Sequence, residues 1–298
     1  MQSGPFLCVL RTRDSRVMTS SMILSYVTFV YFTGFILYLL MMVMGKKAFG
    51  TAATLVSLAG LVAHSIGIVL RWTESYRLGI GHAPLSNLYE SLIFFSWAVT
   101  FFYLVVEWRT KNRVIGTFVI PISFLALAYA SFSPSVNSRI QPLVPALKSN
   151  WLIAHVITCF FSYAAFALSF GLSIIYLVKL KNVNTGRTSP FLNRIPDCRL
   201  LDELNYQMVI IGFLMLTLGI VTGSVWAHSA WGTYWGWDPK ETWSLITWLI
   251  YASVIHVRVA RGWEGKRTAV LCIVGFACVL FTYFGVNYLA GLHSYAKS

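Results

Sequence analysis

The side chains of this sequence with the clearest chemical potential are six histidines and one run of aromatic rings. The run is Trp226-Ala-His-Ser-Ala-Trp-Gly-Thr-Tyr-Trp-Gly-Trp-Asp-Pro-Lys-Glu-Thr-Trp243, with five tryptophans, a tyrosine and two glycines in eighteen residues. Indole rings offer flat faces, and Gly232 and Gly236 let a backbone turn tightly and approach a ligand closely. Such a stretch suits one large planar molecule. His155, in Trp151-Leu-Ile-Ala-His155, and His293, in Gly291-Leu-His-Ser-Tyr295, add imidazoles, which ligate metal ions when neutral.

The elements that must position these groups are membrane helices. The chain has 298 residues, 57% of them hydrophobic and 11% charged, where a soluble domain carries about a quarter charged. Its apolar runs predict an all-α polytopic membrane protein with about eight transmembrane helices, at about 22–44, 50–71, 88–107, 114–132, 151–178, 205–226, 239–259 and 268–290. The Trp-rich stretch then forms an external loop at about 226–243. Residues 1–21 read as a tail, with Met18 or Met22 as alternative starts, and 22–298 as one integral membrane domain.

The net charge of +13 does not imply a nucleic-acid partner, because the basic residues sit in short loops between apolar runs. Fourteen of the twenty-three Lys and Arg fall on one set of loops: 46–47, 109–113, 179–199 and 258–267. By the positive-inside rule that set faces the cytoplasm, and the Trp-rich loop faces outward. The polar stretch 179–204 reads as a flexible connector. Five cysteines form no C-x-x-C pair, which gives neither a disulfide framework nor a thiol relay.

With this topology His155 starts helix five and His293 follows helix eight, both at the outward face beside the tryptophans. Two imidazoles at matched depth next to an aromatic platform fit axial ligation of a heme iron. A pair of interfacial histidines within an aromatic belt is the plainer alternative. His256 lies about 26 Å along helix seven from Pro239, near the inner leaflet, so it cannot share a ligand with the outer pair. His64 is a poor match to it in depth, and His82 and His228 read as solvated loop histidines, with contact to a ligand as the alternative for each. Asp238-Pro239-Lys240-Glu241 reads as a helix start with a capping box, against a direct ligand-binding role for Asp238.

Trp231-Gly-Thr-Tyr-Trp-Gly-Trp-Asp-Pro-Lys-Glu-Thr-Trp243 resembles the WWD signature of heme-handling proteins, and its Pro-Lys-Glu-Thr-Trp continuation is similar to the CcsA (ResC) family of system II cytochrome c biogenesis. Gly81-His-Ala-Pro-Leu-Ser-Asn-Leu-Tyr-Glu-Ser91, Val144–His155 and Phe284–Tyr295 resemble further segments of that family. The resemblance implies that His155 and His293 are external heme-iron ligands and His256 a transmembrane one. It also implies a CcsB (ResB) partner that supplies the second transmembrane ligand. His228 stands where many members carry Asn.

On this resemblance, heme b is the non-covalent cargo. It is carried outward, held by His155 and His293 against Trp231, Trp235 and Trp237, with Asp238 beside them, and presented to the C-x-x-C-H motif of apocytochrome c. The chain is then part of a heme-attachment complex in a bacterial inner membrane, with its Trp-rich loop facing the periplasm or cell exterior, or in a thylakoid membrane. The substrate supplies the sulfur, so positioning suffices and no protein nucleophile is needed. Lys240, Arg71 and Arg77 are candidate propionate partners. Two other functions fit less well: a heme exporter or chaperone without an attachment role, and a b-type electron-transfer subunit.

Overall fold

The computed structural model describes residues 19–144, 147–185 and 192–289, and among them all regular structure is helical. The helices are α1 (Ser20–Met44), α2 (Lys47–Arg77), α3 (Leu88–Thr110), α4 (Gly116–Phe132), α5 (Asn150–Thr185), α6 (Cys198–Trp231), α7 (Pro239–Arg261) and α8 (Lys266–Tyr283). Seven are long and apolar enough to cross a bilayer, and α4, with 17 residues and an internal Pro121, is shorter. The protein is an integral membrane protein of the expected all-α class.

Local chemistry sets the ends. Gly45, Gly232 and Gly262 terminate α1, α6 and α7 in left-handed conformations at φ 73°, 80° and 61°. Asn87 caps α3 by accepting the Glu90 amide at 2.9 Å. Several boundaries depart from the sequence expectation. α5 runs on to Thr185 and α6 begins at Cys198, so most of the supposed connector 179–204 is helix. No Gly or Pro interrupts 172–185, and polarity alone does not stop a helix that projects past the bilayer. α6 also continues to Trp231, which leaves 232–238 as the loop. α8 stops at Tyr283, where Gly285 opens a 3-10 turn, rather than running to 290.

α1–α4 pack mainly on one another, α5–α8 likewise, and α3 against α5 joins the two groups. The closest pairing is α5 with α6. A Cβ added at Gly212 would stand 2.4 Å from the Phe166 ring, and one at Gly219 2.7 Å from Cys159 Sγ. Small residues thus let the two backbones approach, as in membrane helix pairs generally. Ion pairs tie both ends of the bundle: the buried Arg71–Glu90 at 2.8 Å and the partly buried Arg258–Asp202 at 2.7 Å. Arg71, a candidate propionate partner by sequence, lies within α2, almost fully buried, with Glu90 as its partner.

Candidate functional site: an imidazole and a tryptophan loop at one end of the bundle

His155 sits on the second turn of α5 and faces α6. Its Nδ1 lies 2.7 Å from the Gly219 carbonyl oxygen. A carbonyl only accepts, so the Nδ1 proton is donated there and the ring's lone pair is left on Nε2. This is the arrangement of a metal-ligating histidine, whose second nitrogen is held by a backbone carbonyl or a carboxylate. Cys159 Sγ lies 3.6 Å from the same nitrogen. The Trp226 ring stacks nearly parallel to the imidazole, with centroids 6.0 Å apart and planes 15° apart.

From Trp226 the aromatic surface continues outward. Trp231 meets Trp226 edge-on at 4.8 Å. Beyond Gly232 the loop is drawn back by α7. Asp238 caps that helix by accepting the Lys240 amide at 2.9 Å, and the reciprocal half of the capping box is present. The Glu241 carboxylate reaches further than a box requires, accepting the amides of both Gly236 (2.8 Å) and Asp238 (3.2 Å). Between those amides Trp237 is held at φ 57°, a left-handed conformation that side chains other than glycine's rarely adopt. Its ring is 68% exposed and stands perpendicular to Trp235, with centroids 5.7 Å apart. Backbone strain and an open indole at one position are features of a ligand clamp.

The sequence-derived site residues separate into groups. The structure brings His155, Trp226 and Trp231 together, and places Trp235, Trp237 and Asp238 on the loop that follows. His293 lies outside the described residues. The end of α8, which leads toward it, packs on the start of α7 through Phe281 and Trp243, 4.2 Å between centroids. His256 is exposed on α7, two residues past the buried Val254 and so on the opposite side of the helix.

Of the remaining histidines, His82 lies in a loop as expected but is not solvated, His228 is helical rather than in the loop, and His64 lies within α2 as expected. His82 is buried, with Nδ1 2.8 Å from the Ala83 carbonyl and Nε2 3.0 Å from that of Gln141. His228 belongs to the last turn of α6 and stacks on Tyr234 at 4.2 Å. His64 is fully buried against Tyr31. Among the described residues no three His, Cys, Asp or Glu side chains converge to hold a metal ion unaided. An apolar cavity of about 290 Å³ between α3, α4, α5 and α8 has no histidine or cysteine in its walls.

Gly219 and Gly223, which shape the His155 environment, escaped the sequence reading. The available signal was the spacing Gly212, Gly219, Gly223 on one face of α6, but glycines at helical spacing do not say which side chain they admit.

Fold and site together define an integral membrane helical bundle with an oriented imidazole and a tryptophan loop at one end. Residues 85–293 match the cytochrome C assembly protein family, and the chain belongs to that family. It is 42% identical to the cytochrome c biogenesis protein CcsA of Porphyra purpurea, covering 83% of this chain and 90% of that one. Identity is 41% to the CcsA of Mesostigma viride, over 87% and 93% of the two chains. It is 40% to that of Synechococcus sp. (strain CC9605), over 90% and 96%. Its fold resembles that of the cytochrome c heme lyase CcmF, with a TM-score of 0.67 at 17% identity over 95% of this chain. This chain corresponds to 48% of that structure's length. Its role lies in cytochrome c biogenesis.

Proposed function

We propose that this protein carries heme b across the membrane and presents it, between His155 and His293 and against Trp231, Trp235 and Trp237, for covalent attachment to apocytochrome c. The observation that carries the reading is the His155 hydrogen bond to Gly219, which leaves Nε2 as the iron-binding atom. The exposed, strained Trp237 beside Trp235 fits a porphyrin face. Asp238, buried and engaged as a cap, acts by fixing where those rings stand rather than by touching the cargo.

In the reaction each substrate thiol adds across a heme vinyl group. A carbon–sulfur bond forms at the ring-proximal carbon, and the thiol hydrogen ends on the terminal carbon. No acid, base or nucleophile of this chain is consumed. The protein's part is to hold the iron, cover the porphyrin and fix the vinyl groups relative to the substrate.

His256 is proposed as the transmembrane ligand on entry. α7 buries only Thr247, Tyr251 and Val254, so the face that carries His256 is free for another membrane protein. A CcsB (ResB) subunit fits there as the source of the second ligand. The basic loops set the Trp-rich loop opposite the cytoplasm, on the periplasmic face of a bacterial inner membrane or the lumenal face of a thylakoid.

The test is the heme spectrum of the complex purified with its partner, as wild type, His155→Ala and His293→Ala. Both variants are expected to lose the low-spin signal of the outer site. Unchanged low-spin spectra in both would overturn the assignment.

A further inference from the structure

α6 holds the His155 imidazole at three points spaced along one face. The Gly219 carbonyl accepts the Nδ1 proton at 2.7 Å. One turn later Gly223 leaves a notch that the ring fills: a Cβ there would stand 2.5 Å from Nδ1 and 2.7 Å from Cε1. Trp226 then covers the ring with its own plane 15° away. The Thr222 hydroxyl donates its one proton mainly to the Leu218 carbonyl at 2.7 Å and lies 3.2 Å from the Gly219 carbonyl, so it is a minor competitor there.

Each contact controls a separate property of the ligand. The carbonyl selects the Nδ1–H tautomer and, by drawing on that proton, raises the electron density at Nε2. The notch sets how deeply the ring enters the α5–α6 seam. The stacked indole sets the plane of the ring, and so the angle at which its lone pair meets a metal. Hydrogen bonding behind an axial ligand is one of the few levers a protein has over heme potential.

We infer that Gly219, Gly223 and Trp226 are positioning residues that fix the tautomer, plane and donor strength of His155, and thereby the spin state and reduction potential of the heme it binds. This rests on His155 being the axial ligand, and the experiment separates the two claims. The complex with its partner subunit is purified as wild type, His155→Ala, Gly223→Ala, Trp226→Phe, Trp226→Leu, Thr222→Val and Gly212→Ala. Heme content, optical spectrum and midpoint potential are recorded with and without added imidazole.

In Gly223→Ala the added methyl displaces the ring, so a shift from low-spin to high-spin heme is expected, reversed by added imidazole. Trp226→Leu should broaden and shift the low-spin bands, and Trp226→Phe should restore them. Thr222→Val removes this minor competitor, together with its bond to the Leu218 carbonyl, at nearly constant volume. It leaves the carbonyl to His155 and should lower the midpoint potential, which covers the case in which Gly223→Ala does not accumulate. Gly212→Ala crowds Phe166 on the same helix, away from His155, and should leave spectrum and potential unchanged.

Wild-type spectra and potentials in Gly223→Ala, Trp226→Leu and Thr222→Val, alongside a lost signal in His155→Ala, would overturn this inference and leave the ligand assignment standing. A perturbation by Gly212→Ala equal to that by Gly223→Ala would overturn it too, because the effect would then be general α5–α6 packing. An unchanged spectrum in His155→Ala would overturn the assignment on which both rest.

Discussion

Replacing Glu241 by alanine removes one carboxylate and two hydrogen bonds, to the amides of Gly236 and Asp238. Bonds to a charged acceptor are worth more than neutral ones, but this pair is partly solvated, so about 1 kcal/mol each is a fair value. Against the resulting total of about 2 kcal/mol stands the left-handed backbone of Trp237, which costs roughly 1–2 kcal/mol. The two nearly balance, so without Glu241 the loop has no net reason to keep Trp237 where it is. The Asp238 cap on Lys240 survives, and α7 should stay folded. Hydrogen–deuterium exchange read by mass spectrometry on peptides covering 232–238 should accelerate about 30-fold in Glu241→Ala, with peptides from the middle of α7 unchanged. Glu241→Gln keeps one neutral acceptor and should give roughly a fivefold change. Wild-type exchange across 232–238 in Glu241→Ala would refute the anchoring argument. Equal acceleration through α7 would refute the claim that the loop is held separately from the helix.

Three further outcomes follow from the buried contacts. Arg71→Leu leaves the Glu90 carboxylate buried without its cation, and should cost about 3–5 kcal/mol in detergent unfolding, while the double replacement Arg71→Met with Glu90→Met recovers most of it. Asp202→Ala frees both Arg258 and the Gly265 amide, so limited proteolysis of the α7–α8 turn should speed up by tenfold or more; no change would mean that the turn holds itself. Gly212→Ala should lower stability by about 1–3 kcal/mol in thermal melts, because Phe166, already stacked on Tyr251 at 3.5 Å, has little room to retreat.

The number of helices was legible because a bilayer imposes one length and one polarity on each of them. Where that constraint ended, so did the reading. α5 and α6 extend into water on polar residues, and hydropathy cannot separate a helix that leaves the membrane from a loop that follows one. The Asp238 cap was legible because its chemistry is local: Asp, Pro and Glu at fixed offsets need no distant partner. The burial of Arg71 and His82 escaped the sequence for the opposite reason. Each looks solvated until a partner, Glu90 or the Gln141 carbonyl, is brought to it by packing. His155 was singled out by type and depth, but what orients its ring is a carbonyl 64 residues away, which no local pattern reveals.

α6 connects these observations. Its middle holds the His155 proton, its last two turns carry Trp226 and Trp231, and its end at Gly232 releases the tryptophan loop that Glu241 ties to α7. While Trp235 and Trp237 follow on the loop, the imidazole, Trp226 and Trp231 are therefore referred to one rigid helix. Their mutual position is set by rise and twist per residue, 1.5 Å and about 100°. A one-residue insertion between Gly223 and Trp226 would turn Trp226 off the imidazole by about 100° and leave the Gly219 hydrogen bond in place. The same insertion after Gly232 would lengthen the loop and leave both contacts intact. If the two insertions disturbed the heme spectrum equally, the tryptophans would be reading the loop and not the helix, and α6 would be only a spacer.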